Sequence, residues 1–169
     1  ASVTLTGGTI NLGSVTGAIG VYVNKGQVTD AGSTITVGNN GIGIYAKDAD
    51  LNLNGTTINL HGNNALGMYL EGDTNLFTGN GTIDINGQNV VLFYMDTAAG
   101  NTINNNFVVT STAGSTYTLG NIKGGAFEYT GNSVLASNGT LVSGQNSAVY
   151  LIGSTITAPG TTNVAGVSL

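Results

Sequence analysis

Residues 38–46 read GNNGIGIYA, and residues 62–70 read GNNALGMYL. Both open on G-N-N and carry a tyrosine one residue before the end. Aligning on that tyrosine extends the match. AIGVYV (18–23), GIGIYA (41–46), ALGMYL (65–70), VVLFYM (90–95) and SAVYL (147–151) form one column, centred on Tyr22, Tyr45, Tyr69, Tyr94 and Tyr150. A second column holds GTINL (8–12), STITV (33–37), TTINL (56–60), GTIDI (81–85), GTLVS (139–143) and STITA (154–158). A third, weaker one holds LNL (51–53), LFT (76–78) and VLA (134–136). Self-similarity at a period of about 24 residues marks a repeat architecture.

The apolar residues of each run alternate. In GIGIYA, Ile42, Ile44 and Ala46 are expected on one face, with Gly43 and Tyr45 on the other. A period of two means half-buried strands, here separated by Gly/Asn punctuation. β-branched residues, Gly and Asn stand where a helix would want Ala, Leu, Glu and Lys. The pattern predicts an all-β chain, a right-handed parallel β-helix (solenoid) of about seven coils of ~24 residues, with three short strands per coil. Val21/Val23, Ile44/Ala46, Met68/Leu70, Phe93/Met95 and Val149/Leu151 flank the tyrosines and should stack inward. Rungs about 4.8 Å apart would bury them at ~25 cal/mol per Å². Gly38, Gly62, Gly87 and Gly144 are expected to supply positive φ at the corners. Asn40, Asn64, Asn89 and Asn146 are expected to stack as a structural ladder of turn amides, with plain solvent-facing turns as the competing reading.

Residues 96–125 run longer than the period permits and read as an irregular coil with a surface loop insertion. FVVT (107–110) continues a strand column, and 112–125 reads as the loop. Solenoid insertions map to the surface and often carry function, so Tyr117, Leu119, Ile122 and Lys123 make a candidate functional loop. A tolerated bulge without a role is the alternative. The coil should resume at AFEYT (126–130), with Phe127 and Tyr129 inward and Glu128 in the tyrosine slot.

By alternation Tyr22, Tyr45, Tyr69, Tyr94 and Tyr150 face outward, with Glu128 between the last two. Gly20, Gly43, Gly67, Leu92 and Ala148 would line a shallow groove beside them. Such a stripe can reinforce the sheet, at about 0.2–1 kcal/mol per cross-strand pair. It can also meet a partner, since exposed aromatic rows suit sugars and protein interfaces.

Composition narrows the chemistry. Charged residues are 7% of the chain, where about 25% is ordinary. The cations are Lys25, Lys47 and Lys123 alone, and the net charge is −5, which disfavours nucleic acid. The chain has no Cys, so disulfides and thiolate metal sites are excluded. No apolar run is long enough for a membrane-spanning helix. Asp48, Glu71, Asp73 and Asp96 follow tyrosine strands and line one corner, read as a solvated acidic edge. A weak Ca²⁺ site or a carboxylate pair at the ~5–10 Å a glycosidase needs are the lesser readings. His61 reads as an outward turn residue. No catalytic residue, metal site or cofactor is assigned, and the chain is read as no enzyme.

The unit G-N-N-x-x-G-x-Y-x followed by G-T-I-x-L-x-G resembles passenger domains of type V autotransporters, and is most similar to the large surface adhesins of oral fusobacteria. The resemblance covers nearly the whole chain apart from 96–125. Similar coils occur in secreted pectin-type lyases and phage tailspikes. The resemblance implies that 1–169 is a single β-helix segment excised from a much longer passenger, continued by neighbouring coils. It implies an extracellular, cell-surface location, anchored through an outer-membrane β-barrel outside this chain. The expected function is a structural and adhesive stalk that attaches to a protein or glycan on host cells or other bacteria. The alternatives are a polysaccharide-acting β-helix enzyme or tailspike fragment, and a weakly self-associating cell-aggregation module.

Overall fold

The computed structural model describes residues 1–72, 76–98, 101–130, 134–135, 139–157 and 164–168. Its regular elements are strands: β1 (Ser2–Thr6), β2 (Thr9–Leu12), β3 (Ile19–Ala31), β4 (Thr34–Val37), β5 (Ile42–Leu60), β6 (Leu66–Gly72), β7 (Leu76–Ile85), β8 (Val90–Thr97), β9 (Thr102–Asn105), β10 (Val108–Ser111), β11 (Tyr117–Lys123), β12 (Ala126–Thr130), β13 (Val134–Leu135), β14 (Gly139–Gln145), β15 (Ala148–Ile152), β16 (Ile156–Thr157) and β17 (Val164–Ser168). All pairings among the described residues are parallel, and each strand pairs with one a full repeat away. The chain is a parallel β-solenoid with three columns of strands.

The first column joins the start of β3 and of β5 to β6, β8, β11, β14 and β17. The second joins β1, the end of β3, the middle of β5, the start of β7, β9, β12 and β15. The third runs unbroken through β2, β4, the end of β5, the end of β7 and β10, so all three columns close around about five turns. Beyond them β13 and β16 pair as a separate two-stranded sheet.

The interior follows from the register. Val21, Ile44, Met68 and Phe93 stack rung on rung, as do Val23, Ala46, Leu70 and Met95, and all eight are buried. The filling changes along the axis from aliphatic to aromatic. Phe77, Phe93, Phe107 and Phe127 form one ring cluster, with centroids 5.5–6.4 Å apart. Larger rings at constant rung spacing need compensation, and glycine supplies it. Gly120 is the register partner of Phe93, and a Cβ on Gly79 would lie 2.9 Å from the Phe77 ring. Tyr129 is buried beside the cluster, and its hydroxyl donates to the Phe107 carbonyl at 2.6 Å. That bond satisfies the one polar atom a buried tyrosine brings inside. Burial pushes its ionisation up to about 12.

The described residues of 96–125 contradict the expected loop insertion. They complete one more turn: β9 lies in the second column, β10 in the third and β11 in the first. VVTS (108–111) is a strand, close to the expected FVVT, but YTLGNIK (117–123) is one too. Tyr117, Leu119 and Ile122 are buried core residues rather than loop contacts. The tyrosine slot after Tyr94 is filled by Asn121 and then Ser143. Glu128 and Tyr150 therefore lie outside the tyrosine row. They pair with each other in the second column, on the row of Asn52, Thr78 and Asn104. Val149 and Leu151 belong to that column as well, where they are only half-buried.

The corners also divide their roles differently. Asn40, Asn64 and Asn89, not the glycines, hold the left-handed conformation, at φ of 54°, 56° and 55°. Asparagine tolerates that region better than most residues. Gly62 is needed for space instead, because a Cβ there would lie 2.0 Å from the Gly38 carbonyl carbon. The expected amide ladder is one step long: the Asn64 amide donates to Asn40 Oδ1 at 3.3 Å, both exposed. Asn89 turns to Thr116, whose Oγ1 accepts from the Asn89 backbone at 2.7 Å. A longer relay runs one residue earlier, with Asn39 Oδ1 accepting from Asn63 N at 2.8 Å and Asn63 Oδ1 from Gln88 N at 2.9 Å. Asn146 belongs to the other corner, after Gln145, at φ 52°.

Candidate functional site

Three parallel rows lie on the outer face of the first column. The central row is Tyr22, Tyr45, Tyr69 and Tyr94, in register from rung to rung. Consecutive ring centroids are 5.1, 4.7 and 4.9 Å apart, edge-on, stacked and edge-on in turn. Strand spacing brings the rings this close, and their quadrupoles favour offset or edge-to-face contact. Tyr22, at the end of the row, is 52% exposed.

The row before the tyrosines is aliphatic: Ile19, Ile42, Leu66 and Val91. The alternation predicted Ile42 inside and Gly43 outside, and the structure reverses them. Ile19 is 43% exposed, whereas Leu92, in the Gly43 position, is fully buried. A Cβ on Gly43 would meet the core methyls of Ile58 and Val37. Two consecutive residues thus point inward before each tyrosine, and the expected groove of small residues beside the rings is absent.

The row after the tyrosines is polar and charged: Asn24, Lys47, Glu71, Asp96, Lys123 and Gln145. Tyr45 donates its hydroxyl to Glu71 Oε2, and Lys47 Nζ donates to Glu71 Oε1 at 3.1 Å. Lys123 Nζ donates to the Tyr94 hydroxyl at 2.8 Å and lies 5.3 Å from that ring's centroid. It is 3.9 Å from Asp96 Oδ2. The charges thus tie down the hydroxyls at two rungs. The Tyr45 hydroxyl and the Lys47 ammonium hold the Glu71 carboxyl below its ordinary range. The hydrogen bond to Glu71, and then burial, push Tyr45 well above its ordinary ionisation; burial first, and then Glu71, raise Tyr69. Lys123 is raised through its hydrogen bond to Tyr94.

The structure therefore brings together four of the six residues assigned to the stripe and leaves out Glu128 and Tyr150. Of the four assigned to a loop, only Lys123 reaches this face. The charged row was visible in the sequence as the residue two after each tyrosine, in Y-A-K, Y-L-E and Y-M-D. Its partnership with the ring hydroxyls was not. Asp73 lies outside the described residues. His61 Nε2 lies 3.4 Å from Asp84 Oδ2, both exposed, one repeat apart on the third column. Among the described residues no three His, Cys, Asp or Glu side chains are grouped to hold a metal ion. Set against known proteins, the chain matches no family model, no curated protein and no solved structure.

Proposed function

We propose that the chain is a stalk segment of a bacterial cell-surface adhesin, one that acts by contact along its outer face and not by turnover. The carrying observation is the four-ring ladder Tyr22–Tyr45–Tyr69–Tyr94. Core packing does not require it, because the rings lie outside a filled interior. Aromatic and aliphatic rows edged by a few paired charges have the make-up of a protein contact surface, with an apolar centre and a polar rim. Ring hydroxyls held by Glu71 and Lys123 reduce the rotamer entropy lost on docking.

The rest of the proposal follows the passenger-domain resemblance. The solenoid is right-handed, with about seven coils that span on the order of 30 Å at ~4.8 Å per coil. It continues into neighbouring coils of a longer parent, displayed at the cell surface through an outer-membrane β-barrel. Its partner is a protein or glycan on a host cell or another bacterium. Weak self-association is a second reading, favoured by the exposed Ile19 and Tyr22.

The test is attachment of protein-coated beads to epithelial and bacterial cells. Wild type is compared with a variant carrying Tyr45→Ser, Tyr69→Ser and Tyr94→Ser. Attachment should fall at least about tenfold while the circular dichroism spectrum keeps its β form. A folded variant that attaches as well as wild type would reduce the ladder to sheet reinforcement. Sedimentation across a concentration series tests the second reading.

A further inference from the structure

A groove of about 590 Å³ runs along the second column, away from the tyrosine face. Asn52, Thr78 and Asn104 form one wall on successive rungs, and Asn54, Asn80 and Asn106 line the other. Asparagine is a poor strand residue, and the core does not ask for it here, because all five of these asparagines are exposed. Nor is this a stacked amide ladder. Among the described residues, no side-chain bond joins Asn52, Asn54 or Asn104 to a neighbouring rung, in contrast to Asn40 and Asn64. Between the walls, the groove floor is the backbone of the inward-facing row Asp30, Leu53, Gly79 and Asn105. Asp30 and Asn105 are each 2% exposed, both line the groove, and Oδ1 of each lacks a hydrogen-bond partner. Their other side-chain atoms are engaged: Asp30 Oδ2 with Ser33 N at 3.2 Å and with the Thr56 hydroxyl, Asn105 Nδ2 with the Glu128 carbonyl at 3.1 Å.

We propose that this groove binds an extended, neutral oligosaccharide lying along the solenoid axis. The proposal rests on the adhesive reading and supplies it with a ligand class and a second site. Amide side chains present a donor and an acceptor together, which suits pairs of sugar hydroxyls. No lining residue is cationic, which turns away anionic chains. The rungs repeat at about 4.8 Å, close to the length of one pyranose in an extended 1→4-linked chain, so each sugar meets a fresh wall amide or hydroxyl. Beyond Asn104 the same row continues through Glu128 to Tyr150, whose 52% exposed ring offers a stacking platform.

The probes are cellohexaose, β-1,4-mannohexaose and chitohexaose, with glucose as the short control. Each is titrated into the protein by calorimetry and followed by NMR of the asparagine side-chain amides. At least one hexasaccharide should bind, shift the Asn52, Asn54 and Asn104 amides, and bind at least about tenfold more tightly than glucose. The double variant Asn52→Ala/Asn104→Ala should weaken binding about tenfold or more. His61→Ala, on the third column, should leave it within about twofold. The wild-type amide shifts stand as a readout should the double variant misfold. The proposal is overturned if none of the three binds, if the shifts fall on the tyrosine face, or if the folded double variant binds as wild type does. Cell attachment without any hexasaccharide binding sinks the groove and leaves the adhesive reading. Hexasaccharide binding without cell attachment does the reverse.

Discussion

Single positions in this chain carry distinct physical duties, and they are separable by substitution. Asn64 holds a left-handed backbone, and Gly62 two residues earlier holds space. Asn64→Gly should be close to neutral, and Asn64→Ala should destabilise by about 1–2 kcal/mol. Gly62→Ala drives a methyl into the Gly38 backbone and should cost about 3 kcal/mol or more, because main chain cannot move aside as a rotamer can. Urea unfolding of the three variants reads the order directly. On the outer face, Glu71 and Tyr45 set the pH response. Glu71 is depressed, so its contribution is present above the ordinary glutamate value of about 4.3 and fades as pH falls through its folded value. Tyr45 and Tyr69 are raised, so theirs is present below about 10 and fades as pH rises through their folded values. Glu71→Gln should remove its acid-side contribution and bring Tyr45 back toward ordinary ionisation. Phenolate absorbance across an alkaline titration follows that return, and an unmoved Tyr45 would break the link to Glu71.

At the scale of the element, the strand of the first column has a burial signature more reliable than its tyrosine. Gly43–Lys47, Leu92–Asp96 and Leu119–Lys123 each read inward, inward, outward, inward, outward. The alternation rule captured the last four positions and missed the doublet, so Gly43 and Ile42 changed places. The doublet was also the signal that could have found β11. Leu119, Gly120 and Ile122 fit it without a tyrosine, with Asn121 in the slot. By residue identity Tyr150 is the next ring after Tyr94, but by register it lies in the second column, and the coil between the two is regular. The first four tyrosines were legible because pattern and identity coincide there. Asn121→Tyr should extend the ladder by one ring beside Tyr94, stabilising the protein by about 0.2–1 kcal/mol in thermal unfolding. Phe127→Ala, within the ring cluster, should cost about 3–5 kcal/mol.

Over the whole molecule, a repeat of about 24 residues was enough to read an all-β parallel solenoid, since only in-register stacking puts like residues on like. Less legible was what each outer face displays, because that depends on register between distant residues. The tyrosine face and the amide groove are both products of that register. The chain has no cysteine, so cross-linking reports register cleanly. Rungs at about 4.8 Å fall within the roughly 4.4–6.8 Å between Cα atoms that a disulfide spans. Under mild oxidation, Tyr94→Cys/Asn121→Cys should close an intramolecular disulfide, and Tyr94→Cys/Tyr150→Cys should stay reduced. Closure of the second pair with failure of the first would return Tyr150 to the tyrosine row and contradict the register on which both proposed contact faces stand.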